Sequence, residues 1–295
     1  MGSWKSKTLL ISVFLLSMIL YFSIPKQASK IRLIPQEDRW ILEGFFRALI
    51  LQEGGAFTLF GDKPITYDAY FESQKDEVPN LLTAGRCWQG NEHCKAGWQV
   101  WEKYRHLFPS KDFLLLAKHR NENWIEIILL NKALLTQKMQ EHLCEFKSIL
   151  GQGFTPESFL SQYEKSDDSL FHLLKEHHGL FGILLGFGKR NAWMYQERDR
   201  ICVDDFRFTL KTHPLPCGGF ETIAEEKDFF ACTFARSFND MGRLTFINLP
   251  YFMVDPKSKE TCSLQKKYLL QRKHIQDIYD HGNFLEITLA KFCSD

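Results

Sequence analysis

The chain has almost no excess of charge of either sign. Its 295 residues include 37 Lys and Arg against 36 Asp and Glu, which gives a formal net charge of +1 at pH 7. Proteins that bind nucleic acid through its phosphates need a basic surface, so this balance argues against such a partner. The sequence also has no internal repeat and no low-complexity linker. No domain boundary is therefore visible after the first 35 residues.

The segment His177–Trp193, "HHGLFGILLGFGKRNAW", is rich in glycine but lacks a nucleotide-binding motif. A P-loop has four residues between its first Gly and the Gly-Lys pair, followed by Ser or Thr. Here five residues separate Gly182 from Gly188, and Arg190 stands where the hydroxyl is needed. Asn191 replaces the third glycine of the dinucleotide fingerprint. We therefore expect no cofactor here.

The glycines of this segment favour close helix packing instead. Gly179, Gly182 and Gly186 are spaced i, i+3 and i+7, so on a helix they form one flat face. The apolar stretch from Gly179 to Gly188 is too short to span a bilayer. We predict a buried helix, and the alternative is a helix that faces a partner or dips into a membrane.

One uninterrupted apolar run stands near the N-terminus. Residues Thr8–Ile24 form 17 positions without a charge, between a basic head (1–7) and a juxtamembrane stretch (25–35). A helix needs about 17–25 apolar residues to cross a bilayer, so this run predicts one N-terminal transmembrane helix. Basic residues flank both ends, and we expect the head inside and the body translocated.

A cleaved signal peptide is the competing interpretation of the run. No small-x-small site follows it, since a cut after Ala28 would place Lys26 at the −3 position. The run is also longer than the usual signal core of about 7–15 residues. We expect an uncleaved anchor, and the alternative is a secreted factor.

The cysteines do not form a recognisable disulfide framework. Disulfides would suit a translocated body and free thiols a cytoplasmic one. Cys87 and Cys94 bracket a polar loop and are the one pair that we expect to bond. The eight cysteines are irregularly spaced and lie at Cys87, Cys94, Cys144, Cys202, Cys217, Cys232, Cys262 and Cys293.

One segment carries residue types that suit a nucleophilic enzyme. Cys217 precedes Gly218-Gly219 and follows His213, so a thiolate–imidazolium pair beside free backbone N–H groups is conceivable. A Cys in a Pro/Gly loop is more commonly a disulfide partner or a buried thiol. We keep a Cys/His hydrolase as an alternative function and assign no catalytic residue.

Asp168, His172 and Glu176 are metal-ligand types at spacings of i, i+4 and i+8. On a single helix they would span about 12 Å, too far for one ion. Exposed i,i+4 pairing is the simpler interpretation, so we assign no metal site.

Periodicity predicts an α+β body over residues 36–295, mostly helical with a few antiparallel strands. A helix begins at Gln36 and ends at Gly54-Gly55, and Ala56–Phe71 contains a strand, a turn and a second extended piece. A hairpin comprises Phe113–Lys118 and Trp124–Leu130. The other predicted helices are Ala96–His106, Lys132–Leu150, one that starts after Thr155, and Thr261–Asp280 with Lys259, Lys266 and Lys273 on its solvent face; further strands are Phe229–Ala235 and Arg243–Val254.

Two segments carry a resemblance to known proteins. Phe57–Ile65, "FTLFGDKPI", and His178–Trp193, "HGLFGILLGFGKRNAW", resemble a family of uncharacterised, often membrane-anchored or exported proteins from intracellular bacteria. The resemblance implies that both segments belong to one fold, and it carries no activity and no catalytic residue. We expect a single-pass membrane protein with an interaction or envelope role, a possible protein partner and no nucleic acid.

Overall fold

The computed structural model describes residues 28–72, 94–204, 247–250 and 258–293, with the backbone alone for 198–204. This part of the chain is α+β, as predicted, with mostly helical structure and one three-stranded antiparallel sheet. The apolar run Thr8–Ile24 lies outside the described residues. No helix within the described ranges is long and apolar enough to cross a bilayer.

The predicted hairpin forms the centre of the fold. Strands β2 (Phe113–Asn121) and β3 (Trp124–Asn131) pair antiparallel. The two-residue turn between them is shorter than the predicted five-residue break, because β2 continues beyond Lys118. Strand β1 (Ile65–Phe71) pairs antiparallel with the other side of β3 and gives the order β1-β3-β2.

Helices cover both faces of this sheet. In chain order they are α1 (Gln36–Arg47), a π-helical turn (Ala48–Gln52), α2 (Gly55–Leu59), α3 (94–104), a 3-10 turn (Arg105–Leu107), α4 (Lys132–Glu141), α5 (Leu143–Leu150), α6 (Pro156–Lys165), α7 (Leu170–Leu173), α8 (His178–Leu184), α9 (Lys189–Asp204), α10 (Lys259–Tyr279) and α11 (Phe284–Phe292). A further helical turn spans residues 28–31.

The central strand is buried on both sides. Side chains alternate along a strand, so Ile127 and Leu129 enter one core with the apolar residues of α1, α2, α10 and α11. Ile128 and Leu130 enter a second core with those of α4 to α8. The sheet is therefore the middle layer of three, which explains why β3 is an almost continuous apolar sequence.

Two predicted elements are wrong in type or extent. Residues Gly55–Leu59 form helix α2 where a strand was predicted. All five residues are buried, and a short apolar run fits a buried helix as well as a buried strand. The single helix predicted over Lys132–Leu150 is broken at His142, which has φ −116° and ψ 30°. The apolar positions continue at helical spacing through His142, so the sequence pattern does not indicate the break.

Helix termini are the best-predicted local features. Helix α1 begins at Gln36, and Thr155 caps α6 by accepting a hydrogen bond from Ser158 N at 3.2 Å. Helix α10 buries Tyr268 and Ile275, while the three lysines predicted on its solvent face are exposed. The sequence pattern did not predict α11, because nearly all of its residues are buried and it has no polar face.

The predicted strand Arg243–Val254 is described only at residues 247–250, which are not in a strand. Asn248 N instead donates to Leu51 O at 2.7 Å, which ties this segment to the π-helical turn. The predicted strand Phe229–Ala235 lies outside the described residues.

Two glycines of the segment His177–Trp193 permit close helix packing, as predicted, but the helix is shorter than predicted. A Cβ on Gly179 would lie 2.6 Å from the Trp193 ring, and one on Gly182 would lie 2.9 Å from Ala192 Cβ. These two glycines face α9. Helix α8 ends at Leu184, so the prediction that Gly186 shares its face is wrong. Gly186 has φ +82° and lies under the Tyr268 hydroxyl.

We expect Gly182→Ala to lower the free energy of unfolding by about 1–3 kcal/mol, because the added methyl group overpacks the contact with Ala192. Gly44→Ala is the matched control, since Gly44 is also helical and has nothing within 4 Å of its Cβ position. The control should stabilise the protein by about 0.5–1 kcal/mol. Urea unfolding measures both, and stabilisation by Gly182→Ala would contradict the close packing.

Candidate functional site

The residues predicted for nucleophilic chemistry lie outside the described ranges. This applies to His213 and Cys217, and also to Cys87, so the Cys87–Cys94 disulfide stays a prediction. Cys94 is a buried thiol at the start of α3, with its Sγ 3.5 Å from Asp68 Oδ2. Burial and the nearby Asp68 carboxylate raise the pKa of Cys94 well above its ordinary value, so this thiol is protonated at neutral pH.

Asp168, His172 and Glu176 do not share one helical face. Asp168 precedes α7, which ends at Leu173, and Glu176 has a left-handed φ of +57°. Only the predicted i,i+4 pairing survives, with His172 Nε2 3.1 Å from Glu176 Oε1 on the surface. Within the described residues no group of three or more His, Cys, Asp or Glu side chains is placed to hold a metal ion.

The position that resembles a phosphate loop already holds a carboxylate. Lys189 N and Arg190 N, at the start of α9, donate to Glu260 Oε1 and Oε2 at 3.0 and 2.9 Å. Glu260 comes from the first turn of α10. An anion could bind these N–H groups only by displacing the Glu260 side chain.

The strongest internal polar arrangement is a cross-strand pair in the second core. Lys118 on β2 lies directly opposite Glu126 on β3, and both side chains are buried. The Lys118 ammonium donates to Tyr163 O and to Ser166 O, the latter at 2.6 Å, and lies 4.0 Å from the centre of the Tyr163 ring. These carbonyls end α6, where a cation is favoured by the helix dipole.

Glu126 makes a similar contact with the start of the next helix, α7. Its Oε1 accepts a hydrogen bond from Leu170 N, in the first turn of α7. The two charges therefore hold the end of one helix and the start of the next against the sheet. Burial raises the pKa of Glu126 to about 7, against the opposing effects of the Leu170 N–H and the Arg120 and Lys118 charges.

Three polar atoms around this pair have no protein partner. They are Glu126 Oε2, Tyr163 Oη and Ser166 Oγ, all shielded from solvent. Burial and the Glu126 charge raise the pKa of Tyr163 well above its ordinary value, so its phenol remains a donor. Buried groups of this kind are normally satisfied by ordered water, and a site of this chemistry can hold one.

Aromatic groups continue from this pair toward the turn of the hairpin. The Arg120 guanidinium lies 4.0 Å from the centre of the Phe171 ring, at the start of α7. Trp124 Nε1 donates to Tyr67 Oη at 3.0 Å across the sheet. Such contacts fix the open end of the second core and add to the fastening of α7.

The first core contains a different ionisable group, Lys63. Its ammonium donates to Glu53 O at 3.2 Å and approaches Thr66 Oγ1 at 3.4 Å. Among the described ion pairs none involves Lys63. Burial lowers the pKa of Lys63 to about 8, although the Glu53 charge opposes this shift. The amine can thus exchange a proton near neutral pH.

Two carboxyl groups share the environment of Lys63. Glu53 is open to solvent at the rim, yet the surrounding protein and the Asp68 charge raise its pKa to about 7. Burial also raises the pKa of Asp68, which accepts hydrogen bonds from Ala69 N and the Cys94 thiol. No hydrogen bond among the described residues joins the Lys63 ammonium to either carboxyl group, and nothing in this group of three resembles an assembled nucleophile and base.

Sequence reasoning missed both ionisable groups. Lys118 and Glu126 belong to predicted strands, where alternating polar residues suggest a solvent-facing side. Counting outward from the two-residue turn would pair His119 with Glu126, but an irregularity between His119 and Asn121 shifts the register and brings Lys118 opposite Glu126. Lys63 was placed in a turn, with no signal of its burial.

Comparisons with known proteins found no matching family model, no similar curated protein and no similar solved structure.

We expect Glu126→Gln to remove a pH dependence of stability. The folded-state pKa of about 7 exceeds the unfolded value of 4.5, so Glu126 favours folding at low pH and this contribution is lost as pH rises through 7. The loss is on the order of 3 kcal/mol. Urea unfolding from pH 4.5 to 8 should therefore show that the free energy of unfolding of the variant increases relative to that of the wild type as pH rises.

Glu145→Gln is the control with the opposite sign. A hydrogen bond from the Lys189 ammonium lowers the pKa of Glu145, so its contribution is present at neutral pH and lost in acid. The free energy of unfolding of this variant should be lower than that of the wild type at pH 7 and should approach it at low pH. Parallel pH profiles for the two variants would contradict the assignment.

We expect Lys118→Met to lower the free energy of unfolding by about 1–3 kcal/mol at pH 8, because it leaves the buried carbonyl oxygens of Tyr163 and Ser166 without their donor. In the Glu126→Gln background the same substitution should cost less, because the Lys118 charge also lowers the pKa of Glu126. A double-mutant cycle measures this difference. Equal costs in the two backgrounds would show that the pair does not act as a unit.

Proposed function

We propose that the chain is a single-pass, membrane-anchored interaction protein without catalytic activity, with its body on the translocated side. The apolar run Thr8–Ile24 carries the anchor. The observation that supports a body standing at the bilayer is the start of the fold. Residues 28–31 are already helical, and Ile31 and Ile34 belong to the first core.

The contacts of three charged side chains, two of them buried, support an interaction role over catalysis. Lys118 and Glu126 are engaged by backbone groups at helix ends, and the acidic Glu260 caps α9. Each is thus employed in holding elements together. Two alternative functions remain. The first is a membrane-tethered hydrolase that uses Cys217 and His213, and the second is a secreted factor.

We expect Leu16→Arg to release the protein from membranes. An arginine at the centre of a transmembrane helix costs about 2.5–3.5 kcal/mol of insertion free energy. A run of only 17 apolar residues has little favourable insertion free energy to offset this cost. Sodium carbonate extraction of native membranes should leave the wild-type chain in the pellet and move the variant to the supernatant. Leu16→Phe, which stays apolar, is the matched control and should remain in the pellet.

Intact mass separates the rivals in the same preparation. The full mass is expected for the anchored chain. A wild-type mass that lacks roughly the first 25–30 residues would establish a secreted factor and overturn the anchor. Labelling of Cys217 by an electrophilic probe, lost in Cys217→Ser while folding is unchanged, would favour the hydrolase.

A further inference from the structure

Three large apolar side chains are exposed among the first described residues after the apolar run. Leu33 is 69% exposed, Trp40 65% and Ile41 40%. Leu33 lies in the turn before α1, and Trp40 lies on the side of α1 opposite to the buried Leu42 and Phe46. We call Leu33, Trp40 and Ile41 the α1 surface. Single exposed apolar residues are ordinary, but three beside a membrane anchor require an explanation.

The length of chain between the anchor and the body restricts what this surface can meet. The run ends at Ile24, and the described helical turn begins at residue 28. Four residue steps reach at most about 14 Å even when fully extended. The headgroup region on each side of the hydrocarbon core is roughly 5–8 Å thick. If the run spans the bilayer as proposed, the start of the body would be held within or just outside the headgroups.

The charges around the surface have both signs, since Glu37 is exposed one turn before Trp40 and Ile41 while basic residues lie beside Leu33. Arg32 is exposed beside Leu33, and Lys30 is partly exposed one turn earlier. The acidic Asp38 on the same helix is paired with Lys103 at 2.9 Å and accepts a hydrogen bond from Tyr104 at 2.6 Å. Basic side chains near an anchor interact favourably with anionic headgroups. Tryptophan is enriched at this depth because its ring is apolar and its N–H is polar.

We propose that the α1 surface is a lipid-contacting site that inserts Leu33, Trp40 and Ile41 into the headgroup region of the bilayer. The proposal rests on the membrane anchor of the proposed function. It adds a second membrane contact, made by the folded body, so that α1 lies along the bilayer surface and the body has a fixed orientation. The occupant is phospholipid, with Arg32 and Lys30 directed at phosphate groups.

The test uses the full chain, labelled with 5-fluorotryptophan and reconstituted in phosphatidylcholine–phosphatidylglycerol nanodiscs. Trp40→Phe assigns the Trp40 fluorine signal. Phospholipid with a nitroxide near the top of the acyl chain should broaden the Trp40 signal several-fold more than that of Trp124, which lies on the sheet. A water-soluble gadolinium chelate should show the reverse order.

Trp4, in the basic head, separates failure of this proposal from failure of the anchor. Broadening of Trp4 but not of Trp40 by the lipid nitroxide would overturn the α1 surface and leave the anchor standing. Absence of broadening at both would remove the anchor as well. Protection of Trp40 from both reagents would place a protein on this surface and overturn the lipid contact. Leu33→Ser should reduce broadening at Trp40 without changing the unfolding midpoint, because Leu33 is exposed.

Discussion

The contacts that Lys118 and Glu126 make with two helix ends fasten the second layer to the sheet. The hairpin places these two ionisable side chains opposite each other, facing a core, where an unsatisfied polar group is costly. Each side chain bonds to the end of a different helix, so together they fix where α6 ends and where α7 begins relative to the sheet. Helix α8 then follows α7 after a short break, and α9 packs on α8 through Gly179 and Gly182. The order of the second layer thus begins at this pair.

Because the central strand is buried on both sides, the sheet separates two cores that are formed by different parts of the chain. The first core receives helices from both ends of the chain, α1 and α2 from the beginning and α10 and α11 from the end. The second is formed by the middle of the chain, from α4 to α8. Because the sheet separates the two cores, the Lys63 group and the Lys118–Glu126 pair lie in separate environments.

The sequence predicted local features better than the buried polar sites. The hairpin, the cap at Thr155 and the buried face of α10 follow from periodicity and capping, which are short-range properties. Helix α2 and the break at His142 were missed because a short or continuous apolar pattern does not specify the backbone path. The polar sites depend on which helix ends meet which strand, so neither Lys118 nor Lys63 could be recognised from neighbouring residues. The shared helical face of Asp168, His172 and Glu176 is absent because α7 ends at Leu173, although the predicted i,i+4 pairing of His172 with Glu176 is present.

The burial of Ile31 and Ile34 would have a consequence for partner encounters in the proposed anchored chain. A body on a long flexible tether samples many orientations, and a partner binds only one of them. Ile31 and Ile34 enter the core seven and ten residues after Ile24, so tilting of an anchored body would be restricted on folding and not at the moment of binding. A partner embedded in the same bilayer would then meet the body in a restricted set of orientations, at a raised effective concentration.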